Sequence, residues 1–198
     1  MHRIHPEMQI RPEIYPEISQ LNREFFRLLL HPSVPLEGSV LGLKPEWLGR
    51  MAALSEAQLH TASEVPCLLM ELAGKRDGYA CGAAATDARP EWQHARQMFV
   101  MSLLTYMRQL HRQDKAAARR AGVVIAGPAT GAASVEDLSF RDIRRLAFDG
   151  AVDLRARFTD HPRFWPDLLD SAADGSSRYA TVSRLSVLPL MVAEVAAG

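Results

Sequence analysis

The chain has 198 residues, 47% of them hydrophobic and 23% charged, with Lys plus Arg equal to Asp plus Glu at 23 each. That length holds one ordinary domain or two small ones, and the composition is that of a globular protein with a sizeable core. Zero net charge excludes strong attraction of the whole chain to polyanions, since a protein that grips DNA alone carries a basic excess.

In chain order, the opening "MHRIHPEMQIRPEIYPEI" is rich in proline and charge and lacks an apolar core. No signal peptide is expected there, and the cytoplasm is the expected location. Leu21, Phe25, Leu28 and Leu29 recur at helical spacing with Arg23, Glu24 and Arg27 on the other side, which predicts an amphipathic helix. Pro45-Glu46 and Pro90-Glu91 each suit a first helical turn, a fixed φ followed by a carboxylate at the positive end of the dipole. A second long stripe, Phe99, Leu103, Tyr106 and Leu110, faces away from Ser102, Thr105 and Arg108. Glycine and proline gather at 31–45, 74–90, 122–131 and 160–166, the expected loops. The reading is all-α, except that Val152–Phe158 alternates apolar and charged residues as a strand would.

A repeat organises these helices. "LSEAQLHTASEVPCLLMEL" from Leu54 aligns with "LSFRDIRRLAFDGAVDLRARF" from Leu138, 84 residues on. Ser55 and Ser139 each look like an N-cap whose capping box Gln58 or Asp142 completes. The order long helix, loop, Leu-Ser turn, second helix occurs twice, which predicts two similar units in tandem, residues 14–73 and 98–170. Residues 74–97 are the expected connector and 171–198 a C-terminal extension.

Enzyme chemistry finds little support. The seven histidines are scattered, and no catalytic, P-loop or dinucleotide motif occurs. Cys67 and Cys81 are too few for a disulfide framework and fit no four-ligand zinc spacing. No cofactor or metal is expected. Cys67, beside Pro66 in an apolar stretch, reads as an inert core thiol. Trp47, Trp92 and Trp165 each lie near a helix-starting proline and read as core anchors, with an interface role as the alternative.

Residues 103–170 resemble the flagellar transcriptional regulator FlhD family. Gln113-Asp114-Lys115-Ala116, Arg120-Ala121-Gly122, Leu138-Ser139, Leu146-Ala147 and Arg157-Phe158 stand in that family's places. The first half matches more loosely through Leu21-Asn22, "LGLKPEWLGRMAAL" at 41–54, Leu54-Ser55 and Gln58-Leu59. The resemblance implies an all-helical fold, pairing of units about a two-fold axis, and gene regulation with a DNA-contacting partner, FlhC, which carries the zinc. The chain departs from the family in having two units, an insertion "VIAGPATGAASVED", and Leu154 where the family has a cysteine, so an intersubunit disulfide there is excluded. Pairing within the chain gives a pseudo-two-fold monomer; pairing between chains gives a homodimer. A short tether, with an effective concentration on the order of millimolar, favours the first.

The basic run "LLTYMRQLHRQDKAAARRAGV" at 103–123 bears on function directly. On one continuous helix Arg108, Arg112, Lys115 and Arg119 share a face. That face is solvated, or touches phosphate, or docks on an acidic partner. The residues expected to bind nucleic acid or a partner are Arg112, Lys115, Arg119 and Arg120, then Arg141, Arg144 and Arg145. The last three belong to a cluster with Arg155 and Arg157, which would suit the second helix of a helix-turn-helix. Asp142, Asp149 and Asp153 are interleaved there and would repel phosphate. The expected function is a bacterial regulatory protein acting through protein–protein contacts, a non-catalytic subunit or modulator of a transcription complex that shares DNA contact with a partner and crosses no membrane. The alternative is an anti-activator or adaptor that sequesters a transcription factor or secretion component and never touches DNA.

Overall fold

The computed structural model describes residues 15–34, 40–74, 89–120, 125–126, 135–150 and 152–174. These residues are mostly helical. Helices α1 (Tyr15–Leu29), α2 (Pro45–Ala52) and α3 (Glu56–Ser63) lead into strand β1 (Met70–Gly74). Helices α4 (Pro90–Gln113) and α5 (Lys115–Arg120) precede β2 (Ile125–Ala126), and a 3-10 turn (Val135–Asp137) precedes α6 (Phe140–Phe148), β3 (Val152–Ala156) and α7 (Phe164–Asp174).

The small sheet corrects the all-α expectation. Its order is β2-β1-β3, with β1 parallel to β2 and antiparallel to β3. Only β3 falls where the sequence alternation suggested a strand. The stretch that becomes β1 has the sequence Met70-Glu71-Leu72-Ala73-Gly74, too short to show a period. Its central place, with Met70 and Leu72 fully buried between two neighbours, makes it a strand.

Pro66 explains why α3 does not simply continue. Proline has no N–H and biases the preceding residue, Val65, towards extended backbone. The chain therefore leaves the helix after Ser63 and crosses the core without regular structure, although Val65, Cys67, Leu68 and Leu69 are all buried. The buried side chain of Asn22 on α1 supplies the missing partners. Its Nδ2 donates to the carbonyls of Ser63, at 3.1 Å, and Cys67, at 2.9 Å, while its Oδ1 accepts from the Leu69 N–H at 2.9 Å. Burial of Cys67 agrees with its reading as a core thiol.

Both predicted long stripes are buried, α1 through Leu21, Phe25, Leu28 and Leu29 and α4 through Phe99, Leu103 and Leu110. The two helices meet at Phe25 and Phe99, ring centres 5.9 Å apart. Tyr106 lies at the stripe's edge with its hydroxyl buried and unpartnered among the described residues. Burial, and then the charge of Glu17, raise its pKa. Helix α4 starts at Pro90, so residues 90–97 of the expected connector are helical. Trp47, Trp92 and Trp165 are all buried. The Trp92 indole N–H donates to the Leu28 carbonyl at 3.1 Å, and that of Trp165 to the Arg157 carbonyl at 2.8 Å. Helix α7 closes over α2 and α3, with Arg50 paired to Asp170 and Gln58 Nε2 donating to the Ala173 carbonyl at 2.9 Å.

Both expected capping boxes form, at Ser55 with Gln58 and at Ser139 with Asp142. Beyond each box a short helix runs into a five-residue strand, and the two strands pair so that their middle residues, Leu72 and Leu154, are partners. The buried apolar residues of both halves make one core.

Replacing Asn22 by leucine leaves one N–H and two carbonyls without their partner in the core, each costing on the order of 1–3 kcal/mol. Urea unfolding of Asn22→Leu is expected to show a loss of about 3 kcal/mol or more; a loss below about 1 kcal/mol would contradict this account of the crossing.

Candidate functional site

The basic run does not form one helical face. Asp114 adopts extended backbone, φ −157° and ψ 94°, and breaks the rod between α4 and α5. Its Oδ1 accepts from the Ala117 N–H at 2.9 Å, as an N-cap does at the start of a new helix. The expected alignment of Arg108, Arg112, Lys115 and Arg119 along one continuous helix therefore does not occur.

Two of the first-choice residues have partners inside the fold. The Arg112 Nε donates to the backbone carbonyl of Glu136 at 2.8 Å, and the Lys115 ammonium meets the Glu136 carboxylate at 2.8 Å. Together they hold the 3-10 turn against the α4–α5 junction. Arg108 is half-buried, its Nε without an acceptor among the described residues. Arg119 and Arg120 end α5, and their side chains lie outside what the structure describes.

The second-choice cluster divides. Arg157 is buried; it donates to the Leu68 carbonyl at 3.1 Å and stacks 4.7 Å from the centre of the Phe158 ring. Arg155 meets Asp153 at 2.8 Å. Arg141, Arg144 and Arg145 are exposed on the outer face of α6, whose inner face buries Ile143, Leu146 and Ala147. No hydrogen bond or ion pair holds Arg141 or Arg144 among the described residues, and Arg145 has only an ion pair at 3.5 Å with Asp142, one turn away. Helix α6 follows a 3-10 turn and leads into a strand, so it is not the second helix of a helix-turn-helix.

Two of the three interleaved carboxylates are already engaged. The Asp142 carboxylate turns back to the Ser139 hydroxyl, at 2.6 Å, and the Ser139 N–H, at 3.1 Å. Asp153 is buried on β3 between Arg155 and Arg96, the latter at 3.5 Å. Asp149 is exposed at the end of α6, and Asp142, though hydrogen-bonded, stays ionised, so both still oppose phosphate on this helix.

Sequence reasoning did not single out two members of this surface. Phe140 is 61% exposed and Phe148 38% exposed, large apolar residues that open and close α6. Eight residues apart on a helix, they stand about 12 Å from each other with Arg144 midway. The signal was present, since Phe140, Arg144 and Phe148 follow the same four-residue step as the buried Ile143 and Ala147. The wheel alone left open which stripe faces inward. The arrangement can bind an anionic surface that also offers apolar groups, through the Arg141 and Arg144 guanidinium groups, unpaired among the described residues, and two aromatic faces.

Comparison of the chain with protein-family models, with curated proteins and with solved structures finds no match. Among the described residues no histidine, cysteine and carboxylate side chains gather into a metal-binding group, and no helix is long and apolar enough to cross a membrane.

The hydrogen bonds from Ser139, first its hydroxyl and then its backbone N–H, hold Asp142 below the usual carboxylate range, with smaller help from Arg145 and Arg141. A carboxyl group whose folded pKa is depressed stabilises the fold above its unfolded value, about 3.9, and loses that contribution as pH falls through the lower folded value. Replacing Ser139 by alanine is expected to move the Asp142 titration up towards the ordinary carboxylate range, as followed by nuclear magnetic resonance. An unchanged titration would show that the arginines, not the cap, hold the charge.

Proposed function

We propose that the chain is a regulatory protein of the bacterial cytoplasm, acting by protein–protein contact as a non-catalytic subunit or modulator of a transcription complex. The observation that carries this reading is the outer face of α6, where Arg141 and Arg144 are unpaired among the described residues and are flanked by exposed Phe140 and Phe148. Aromatic and arginine side chains are the residue types that anchor protein interfaces, and on an electrically neutral protein such a face suits docking on a partner better than gripping DNA alone. DNA contact, in this reading, is shared with the partner.

The FlhD-like organisation in tandem is part of the proposal. Its support is the recurring order of long helix, serine-capped helix and strand, with contacts between α1 and α4 and between β1 and β3. Pairing of Glu71 with Arg155, residues 84 apart like Leu54 and Leu138, is what a local two-fold axis between the units would produce. That pairing lies within one chain, which supports the pseudo-dimeric monomer. Light scattering is expected to give a mass near 22 kDa; twice that mass would favour the homodimer.

The partner is best sought by affinity capture from the native cell with the wild-type chain and with an Arg141→Glu, Arg144→Glu variant. The wild type is expected to recover a transcription factor or zinc-bearing activator, and the variant to lose most of it with its thermal unfolding unchanged. Recovery of metabolic enzymes alone would overturn the regulatory reading. A gel-shift series with and without the captured protein then separates a shared DNA contact from sequestration away from DNA. Tight DNA binding by the isolated chain at physiological salt would refute the need for a partner.

A further inference from the structure

The last turns of α1 and the first turn of α3 enclose a groove of about 210 Å³, on the opposite half of the chain from α6. Phe26, Leu30 and Leu59 line it with apolar surface, and Arg23, Arg27 and Glu56 add charge. Neither arginine is strongly neutralised. Among the described residues Arg23 meets no carboxylate; its Nη2 lies 2.7 Å from Nδ1 of His60, an acceptor when that imidazole is neutral. Arg27 is paired with Glu56 at 2.9 Å, but the two side chains are 63% and 68% exposed. An ion pair that open to water contributes little and is readily exchanged.

We propose that this groove is a binding site for a small organic anion, a carboxylate or sulfonate on a compact apolar body. The volume is below the range typical of drug-sized ligands, which limits the body to roughly a dozen non-hydrogen atoms. The apolar part lies against Phe26, Leu30 and Leu59, and the anionic head takes the place of the Glu56 carboxylate on Arg27, with Arg23 adding to the positive field. Guanidinium suits this exchange because its planar fork receives a carboxylate through two parallel N–H donors. Glu56 thus competes with the ligand, occupying Arg27 while the groove is empty.

This competition makes the site testable with 2-naphthoate as the probe and its uncharged counterpart, 2-naphthalenemethanol, as control. Titrations followed by nuclear magnetic resonance are expected to show shifts at Arg27, Glu56 and Leu59 on adding naphthoate, with much weaker binding of the alcohol. Arg27→Gln is expected to weaken naphthoate binding at least about fivefold, and Glu56→Gln, by removing the competitor, to tighten it about two- to fivefold. A structural pair with no ligand role would give no such gain from losing Glu56. The absence of groove shifts at millimolar naphthoate would overturn the proposal. So would equal binding of the alcohol, or unchanged affinity in Glu56→Gln.

Discussion

The fold depends on how Asn22 resolves the crossing from α3 to the sheet. A buried segment without regular structure is costly because each unpaired backbone group forfeits its hydrogen bond to water. Residues 65–69 are such a segment, and a single primary amide, with two donors and an acceptor, satisfies two of its groups, the Cys67 carbonyl and the Leu69 N–H, together with the Ser63 carbonyl that ends α3. Arg157 completes the arrangement from the other side, its guanidinium on the Leu68 carbonyl and its backbone N–H on the Leu69 carbonyl at 2.9 Å. With both ends of the crossing pinned, β1 is delivered to the centre of the sheet in one register. A slip of one residue would turn Leu72 outward and Glu71 into the core.

Everything after β1 builds on that register. Strand β3 pairs along all five residues of β1, from Met70 with Ala156 to Gly74 with Val152. The turn at Val40–Leu43 joins the arrangement through the Leu41 carbonyl, which accepts from the Ala156 N–H at 2.8 Å. Gly150, with φ 65°, lets the chain turn out of α6 just before β3, a conformation that costs glycine little. Through this pairing the outer face of α6 is held in a fixed position relative to the rest of the core.

The surface chemistry follows from where the carboxylates go. The Glu136 carboxylate engages Lys115 while its backbone carbonyl accepts from Arg112, and Asp153 engages Arg96 and Arg155, so those cations serve the fold. Asp142 serves its own helix as half of a capping box, which leaves Arg141 and Arg144 without a hydrogen-bonded or ion-paired carboxylate among the described residues. A basic cluster counted along the sequence thus differs from the cationic surface presented by the folded protein, because pairing is settled by neighbours in space.

Patterns complete within a few residues were legible in the sequence. The stripes of α1 and α4, the capping boxes at Ser55 and Ser139, the proline starts at Pro45 and Pro90, and burial of the three tryptophans all rest on local spacing or local steric rules. What depends on partners distant in the chain was decided only by tertiary structure. Strand β1 exists because β3, about 80 residues on, supplies its hydrogen bonds. The break at Asp114 was hidden because Gln113-Asp114-Lys115 reads as helix until the aspartate side chain caps a new one. Arg112 and Lys115 looked free because Glu136 is over 20 residues away, and the exposure of Phe140 and Phe148 was not legible because which stripe of α6 meets α4 is a matter of packing. Local sterics and periodicity act through the covalent chain and are written in it, whereas burial and charge pairing depend on the distances that folding creates.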